Sequence, residues 1–137
     1  MLLRASIPDL VGPQIDRSQA PIIVVSYPRV LTEAHIGPYF DEVTAIVSQQ
    51  PSVFLIDVRS SAIPGPRVRR AAATRLNTLY TLHPGCILGV AHLVSSTLVR
   101  GALTAVYWLA PPPCPTLFTA EMEMAMTWAE RLVQRSY

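Results

Sequence analysis

The sequence predicts an α/β domain: a four- or five-stranded, mainly parallel sheet with flanking helices. Two observations carry that reading. Short apolar runs, "PIIVVSYP", "SVFLIDV" and "CILGVAHLV", recur along the chain, and each precedes a segment whose apolar residues have helical spacing. The second and third runs are continuous rather than alternating, as in parallel strands buried on both faces. Strands of this kind that alternate with helices pair through right-handed crossovers.

Residues 1–20 hold Pro8, Gly12 and Pro13 among polar residues. They read as an irregular arm with one short strand near Leu10–Val11, ahead of a single domain over 21–137. The β-branched run 21–28 is the first main strand, closed by Pro28. Ile36, Phe40, Val43 and Val47 then share one helical face. Gly37-Pro38 places a proline where a first turn tolerates it, so the helix is expected over 38–50, after a separate turn. "SVFLIDV" is the next strand, and "PRVRRAAATRLNTLYTL" a helix with Val68, Ala72, Leu76 and Leu79 inward. "CILGVAHLV" follows, with Gly89 and Ala91 as small residues where something packs closely.

"TLVRGALTAVYWL" is a helix stopped by "PPPCP", and "TLFTA" a short last strand. The closing helix is "EMEMAMTWAERLVQR", with Thr119 as its cap and Glu121 and Glu123 where the helix dipole favours them. Its core face is Met122, Ala125, Ala129, Leu132 and Val133, with Trp128 alongside.

Composition excludes several functions. Half of the 137 residues are hydrophobic and 15% are charged, too apolar a mixture for disorder. Every basic residue is arginine, and the net charge of +2 is too small to argue for nucleic acid. The stretch 86–110 has the length of a membrane span, but Ser95, Ser96, Thr97 and Arg100 interrupt it. An arginine near the bilayer centre costs roughly 2.5–3.5 kcal/mol, so a buried strand plus helix is expected instead. "MLLRASIPDL" lacks the apolar core of a secretory signal, which points to the cytoplasm and to reduced Cys86 and Cys114. No metal-ligand or cofactor motif occurs.

"VLTEAHIGPYFDEV", "VFLIDVR", "CILGVAHLV" and "LFTAEMEMAMTWAERL" together resemble divergent members of the STAS family, the anti-sigma-factor-antagonist-like (SpoIIAA-like) domains. The resemblance spans about 22–134. It implies a bacterial, non-enzymatic regulatory module that binds partner proteins. One departure matters: central members place a phosphorylatable Ser or Thr nine residues after the strand's Asp. Here that position, counted from Asp57, is Pro66. The phosphorylation switch does not carry over directly, and Ser60 and Ser61 stand at another offset.

The candidate surface is the loop and helix start from 59 to 70, with Arg59, Ser60, Ser61, Arg67, Arg69 and Arg70. Arginines at a helix N-terminus oppose its dipole, a conflict that an anionic ligand or an acidic partner would relieve. Alternatively, they are a solvated face. Asp57 is expected to bond loop amides. His35, His83 and His92 fall in a turn, a loop and a strand, and Cys114 sits among prolines; none forms a catalytic set in the sequence. The helix at 97–109 is apolar nearly all round. Such a helix is covered on more than one side, either by the N-terminal arm or by a partner or second copy. Leu98, Val99, Leu103 and Val106 are the candidate association residues.

Overall fold

The computed structural model describes residues 12–137; the strand expected near Leu10–Val11 lies outside them. Five strands form one sheet in chain order: β1 (Gln14–Asp16), β2 (Ile22–Ser26), β3 (Ser52–Asp57), β4 (Ile87–Leu93) and β5 (Thr116–Thr119). Strands β2 to β5 are parallel, and β1 runs antiparallel to β2. The helices are α1 (Glu33–Gln49), α2 (Pro66–Leu82), α3 (Thr97–Leu109) and α4 (Met122–Ser136).

Neighbours in the sheet are neighbours in the chain, so successive right-handed crossovers all fall on one side. Helices α1, α2 and α3 share that face, over Ile23, Val25, Phe54, Ile56 and Val90. The opposite face, built from Ile22, Val53, Leu55, Ala91 and Leu93, is covered by α4. Strand β3 is buried on both faces up to Asp57, and β4 nearly throughout, as their unbroken apolar runs require.

Two boundaries differ from the sequence reading. The arm is not irregular over its whole length, because residues 14–16 add an edge strand and Ile15 packs on the core. Helix α1 starts at Glu33 rather than 38. The Thr32 amide donates to Nδ1 of His35 at 3.1 Å, which satisfies a group the helix start leaves unpaired. Pro38 removes the partner of the Ala34 carbonyl; Ala34 is exposed, so water can replace it.

Helix α4 lies close to the sheet. Ala125 and Ala129 are fully buried against it. A Cβ added at Gly89 would come within 2.4 Å of Leu132 Cδ1, 3.0 Å of Trp128 Cη2 and 3.3 Å of the Pro115 carbonyl oxygen. The register of β3 on β4 also shifts beside it: Ser52 faces Ile87 and Val53 faces Gly89. Gly101, in the middle of α3, has open space around its Cα. The two glycines therefore predict opposite results. Gly89→Ala is expected to destabilise by about 1–3 kcal/mol through overpacking, and Gly101→Ala to stabilise the single folded chain by roughly 0.5–1 kcal/mol. Urea unfolding of both variants checks this, and a neutral Gly89→Ala would mean that α4 can lift away at little cost.

Candidate functional site

The carboxyl ends of β2, β3, β4 and β5 meet along one edge, where open α/β sheets present their loops to ligands and partners. The loop after β3 is anchored on two sides. Asp57 Oδ1 accepts from the Arg59 amide and from its Nε, both at 3.0 Å, and Oδ2 accepts from Nη2 at 2.9 Å. Arg59 Nη1 also donates to the Ala120 carbonyl at 3.2 Å, which links the loop to the junction of β5 and α4. On the other side, Ser61 Oγ donates to the Pro28 carbonyl at 2.8 Å and the Ala62 amide to the Arg29 carbonyl at 2.8 Å. Asp57 thus bonds a loop amide, as expected, and the hydrogen bonds from Arg59 hold its carboxyl below the usual range.

The loop residues separate into two groups. Arg59 and Ser61 hold the loop in place. Ser60 is exposed. Gly65 caps α2 and Pro66 opens it, a position where the missing amide costs nothing. Arg69 is half-buried, and its Nη1 donates to the Pro64 carbonyl at 2.6 Å. Arg67 and Arg70 are exposed and, among the described residues, have no acidic group within 4 Å. No acidic residue occupies the first turn of α2 to offset them.

Ser96 caps the start of α3, and its Oγ accepts from the Val99 amide at 3.3 Å. The four residues expected on its association face do not lie together. Leu98 is 70% exposed, but Val99 (5%) and Val106 (7%) are core, and Leu103 packs half-buried against that core. The reason is angular: Val99, Leu103 and Val106 point toward the sheet and α2, roughly a quarter-turn or more from Leu98. The outward arc holds Leu98, Gly101, Ala105, Trp108 and Leu109, with Trp108 79% and Leu109 58% exposed. Trp108 and Leu109 are the exposed apolar residues that the sequence reading left out of the association face. The described part of the N-terminal arm pairs with β2, at the far edge of the sheet from β5.

The other reactive side chains are dispersed. His35 sits at the start of α1, and His83 follows α2. Cys86 and Cys114 are free and half-buried, and burial pushes the Cys114 thiol up to about 11. His92 is buried in β4 at 4% exposure. Its Nε2 hydrogen-bonds the Tyr107 hydroxyl, its ring stacks on Phe118 with centroids 5.3 Å apart, and its Nδ1 has no partner among the described residues. Among the described residues no three His, Cys, Asp or Glu side chains could together hold a metal ion, and no helix is long and apolar enough to cross a membrane.

This architecture is the SpoIIAA-like fold. The chain is similar to an anti-sigma factor antagonist from Mycobacterium paratuberculosis, with a TM-score of 0.57 and 16% identity over 87% of this chain and 93% of that one. It is also similar to an uncharacterized protein of the DUF3478 family with a SpoIIAA-like fold from Shewanella loihica, with a TM-score of 0.61 and 20% identity over 86% and 94%. No family model and no curated protein matches the chain.

Burial of His92 sets a pH dependence. Desolvation lowers its pKa from 6.5 to about 4. Between those values the unfolded chain binds more protons than the folded one, so stability falls as pH drops from about 6.5 to about 4 and then levels off for this group. The shift corresponds to roughly 3 kcal/mol. Asp57, held low by Arg59, loses its contribution only below its ordinary 3.8, outside that window. Urea unfolding at pH 7, 5.5 and 4 should give a sloping stability for the native protein and a much flatter one for His92→Leu. Equal slopes would place the proton uptake elsewhere.

Proposed function

We propose that this domain is a non-enzymatic, STAS-like interaction and regulatory module that pairs with a second copy through the outer face of α3. The carrying observation is the arc of Leu98, Gly101, Ala105, Trp108 and Leu109, which no described element covers. Large apolar side chains at both ends flank small ones in the middle, so another helix can approach closely at Gly101. A glycine inside a helix costs roughly 0.5–1 kcal/mol relative to alanine, and the open space at Gly101 offers no reason within the fold for keeping it. One arc facing its own copy gives a two-fold, self-complementary contact. The fold neighbour named as an anti-sigma factor antagonist supports a role in contacts between proteins.

Arg67 and Arg70 support a second surface, for an acidic partner, at the start of α2. An anionic small molecule there is the alternative reading, favoured by the same two guanidinium groups. Pro66 provides no hydroxyl at the family's switch position, so binding does not depend on phosphate there.

Two experiments test this. Light scattering should find a dimer that Leu98→Glu and Trp108→Glu convert to monomer with little change in thermal midpoint. Truncation of a tryptophan anchor in an interface costs about 2 kcal/mol or more, so Trp108→Ala should weaken association roughly thirtyfold. Val99→Glu should unfold the chain instead. A native protein that stays monomeric at high concentration removes the dimer. The second experiment replaces Arg67 and Arg70 together by Gln. Folding stability should stay level or rise by up to about 1 kcal/mol. Capture of partners from native lysate should weaken, most of all at low salt, where charges act over about 10 Å or more. Equal capture by both versions makes the arginines a solvated face.

A further inference from the structure

We infer that the outer edge of β5, with the groove between β5 and α4, is a docking site for an extended segment of a partner protein. The segment adds as a further strand antiparallel to β5 and carries a basic, an apolar and an acidic side chain at alternate positions. Strand β5 ends the sheet, and no described backbone group bonds its far side. The Val90 amide donates to the Pro115 carbonyl at 3.1 Å and the Val94 amide to the Thr119 carbonyl at 2.9 Å. Successive residues of a strand turn their backbone groups to opposite sides, so Thr116 and Phe118 direct theirs away from the sheet. Strand β5 is short, but it has no charge, proline or bulge, the features that usually blunt an open edge.

The groove beside this edge has a volume of about 380 Å³, and the order of its charges selects the occupant. Helix α4 runs back along β5, which brings Trp128 and Leu132 near the Pro115 end. Glu121 and Glu123 therefore lie at the carboxyl end of β5, Leu117, Met124 and Trp128 in the middle, and Arg131 at the other end. The two glutamates and Arg131 are exposed, and none has an opposite charge within 4 Å among the described residues. Met124 is 52% exposed, an apolar surface left to a partner. The spacing fits a strand. Glu121 to Arg131 spans about 15 Å of helix rise, and strand positions i, i+2 and i+4 span about 13 Å. A strand antiparallel to β5, the slightly stronger pairing, meets the glutamates first, so its groove-side residues run basic, apolar, acidic. Its other residues face the side where Arg100 lies over Phe118. Main-chain bonds give such docking its affinity and alternate side chains its specificity. A second copy paired edge to edge is a poorer occupant, because β5 brings no charged side chain to either end of the groove.

The site is separate from the outer arc of α3 and stands if that arc proves unpartnered. The test titrates two peptides of one composition, Thr-Lys-Thr-Leu-Thr-Glu-Thr and Thr-Glu-Thr-Leu-Thr-Lys-Thr, into the isotopically labelled full chain. Nuclear magnetic resonance follows the Phe118 amide and the Trp128 indole. The first peptide should give saturable shifts at both and slow hydrogen exchange of the Phe118 amide several-fold. Exposed ion pairs are individually weak, so it should bind about fivefold tighter than the second peptide, and added salt should narrow that ratio. Glu121→Lys, Glu123→Lys and Arg131→Glu together change only exposed positions and should reverse the preference. Thr116→Pro removes an outward amide where an edge strand tolerates proline, and it should weaken both peptides. The triple variant keeps the test decisive if Thr116→Pro does not fold. Shifts without saturation, unchanged exchange of the Phe118 amide, equal or tighter binding of the second peptide, or an unreversed preference in the triple variant would each overturn the assignment. A Phe118 amide already protected in the free protein would overturn it too, because the protein itself then fills the edge.

Discussion

The contact of α4 with β3 and β4 sets the spacing of the whole molecule. One helix covers a face that three helices share on the other side, so it must lie low and central. Gly89 and Ala91 on the sheet and Ala125 and Ala129 on the helix are the small surfaces that allow this. Leu132 and Trp128 then close over Gly89 from α4. The Tyr137 hydroxyl, just past the helix, donates to the Pro51 carbonyl at 2.6 Å, which ties that end to the entry of β3. Interiors packed to crystal-like density transmit such spacing, because no slack is available to absorb a change in one layer.

On the other face the same sheet supports a looser arrangement. On this side His92 of β4 lies among aromatic rings. Tyr27 and Tyr39 pack edge to face at 5.7 Å, and His92, Tyr107 and Phe118 form a second group. Helix α3 belongs to both the interior and the surface. Val99, Leu103 and Val106 face inward, and Leu98 and Trp108 face water. The inward and outward faces thus belong to the same thirteen-residue helix.

The fold was legible because its strongest signals are local. Unbroken runs such as Phe54–Ile56 require burial on both faces, and Gly89 and Ala91 stood out in a strand otherwise made of larger residues. The start of α1 was placed at Pro38 alone, because the capping pair Thr32 and His35 was not read as one. The candidate surface was only half legible. Arginine spacing located the edge, but which arginines stay free depends on carbonyls brought in from elsewhere: Ala120 for Arg59 and Pro64 for Arg69. On α3, Leu98 and Val99 are adjacent and both apolar, so composition alone did not separate them. Sorting by angle would have grouped Leu98 with Trp108. The orphan nitrogen of His92 has no sequence signature at all, because it arises from what β4, α3 and β5 leave unfilled.

The placement of α4 also shapes how the chain is made. Each strand from β2 to β5 docks beside the one just completed, and α1 to α3 can cover their side as soon as they are synthesised. The opposite side has no cover until α4 follows β5. Without α4, Ile22, Val53, Leu55, Ala91 and Leu93 would form an apolar surface open to water. A nascent chain in this state presents the kind of surface that chaperones hold and that neighbouring chains can join. Cover for that surface comes from the fifteen residues of α4.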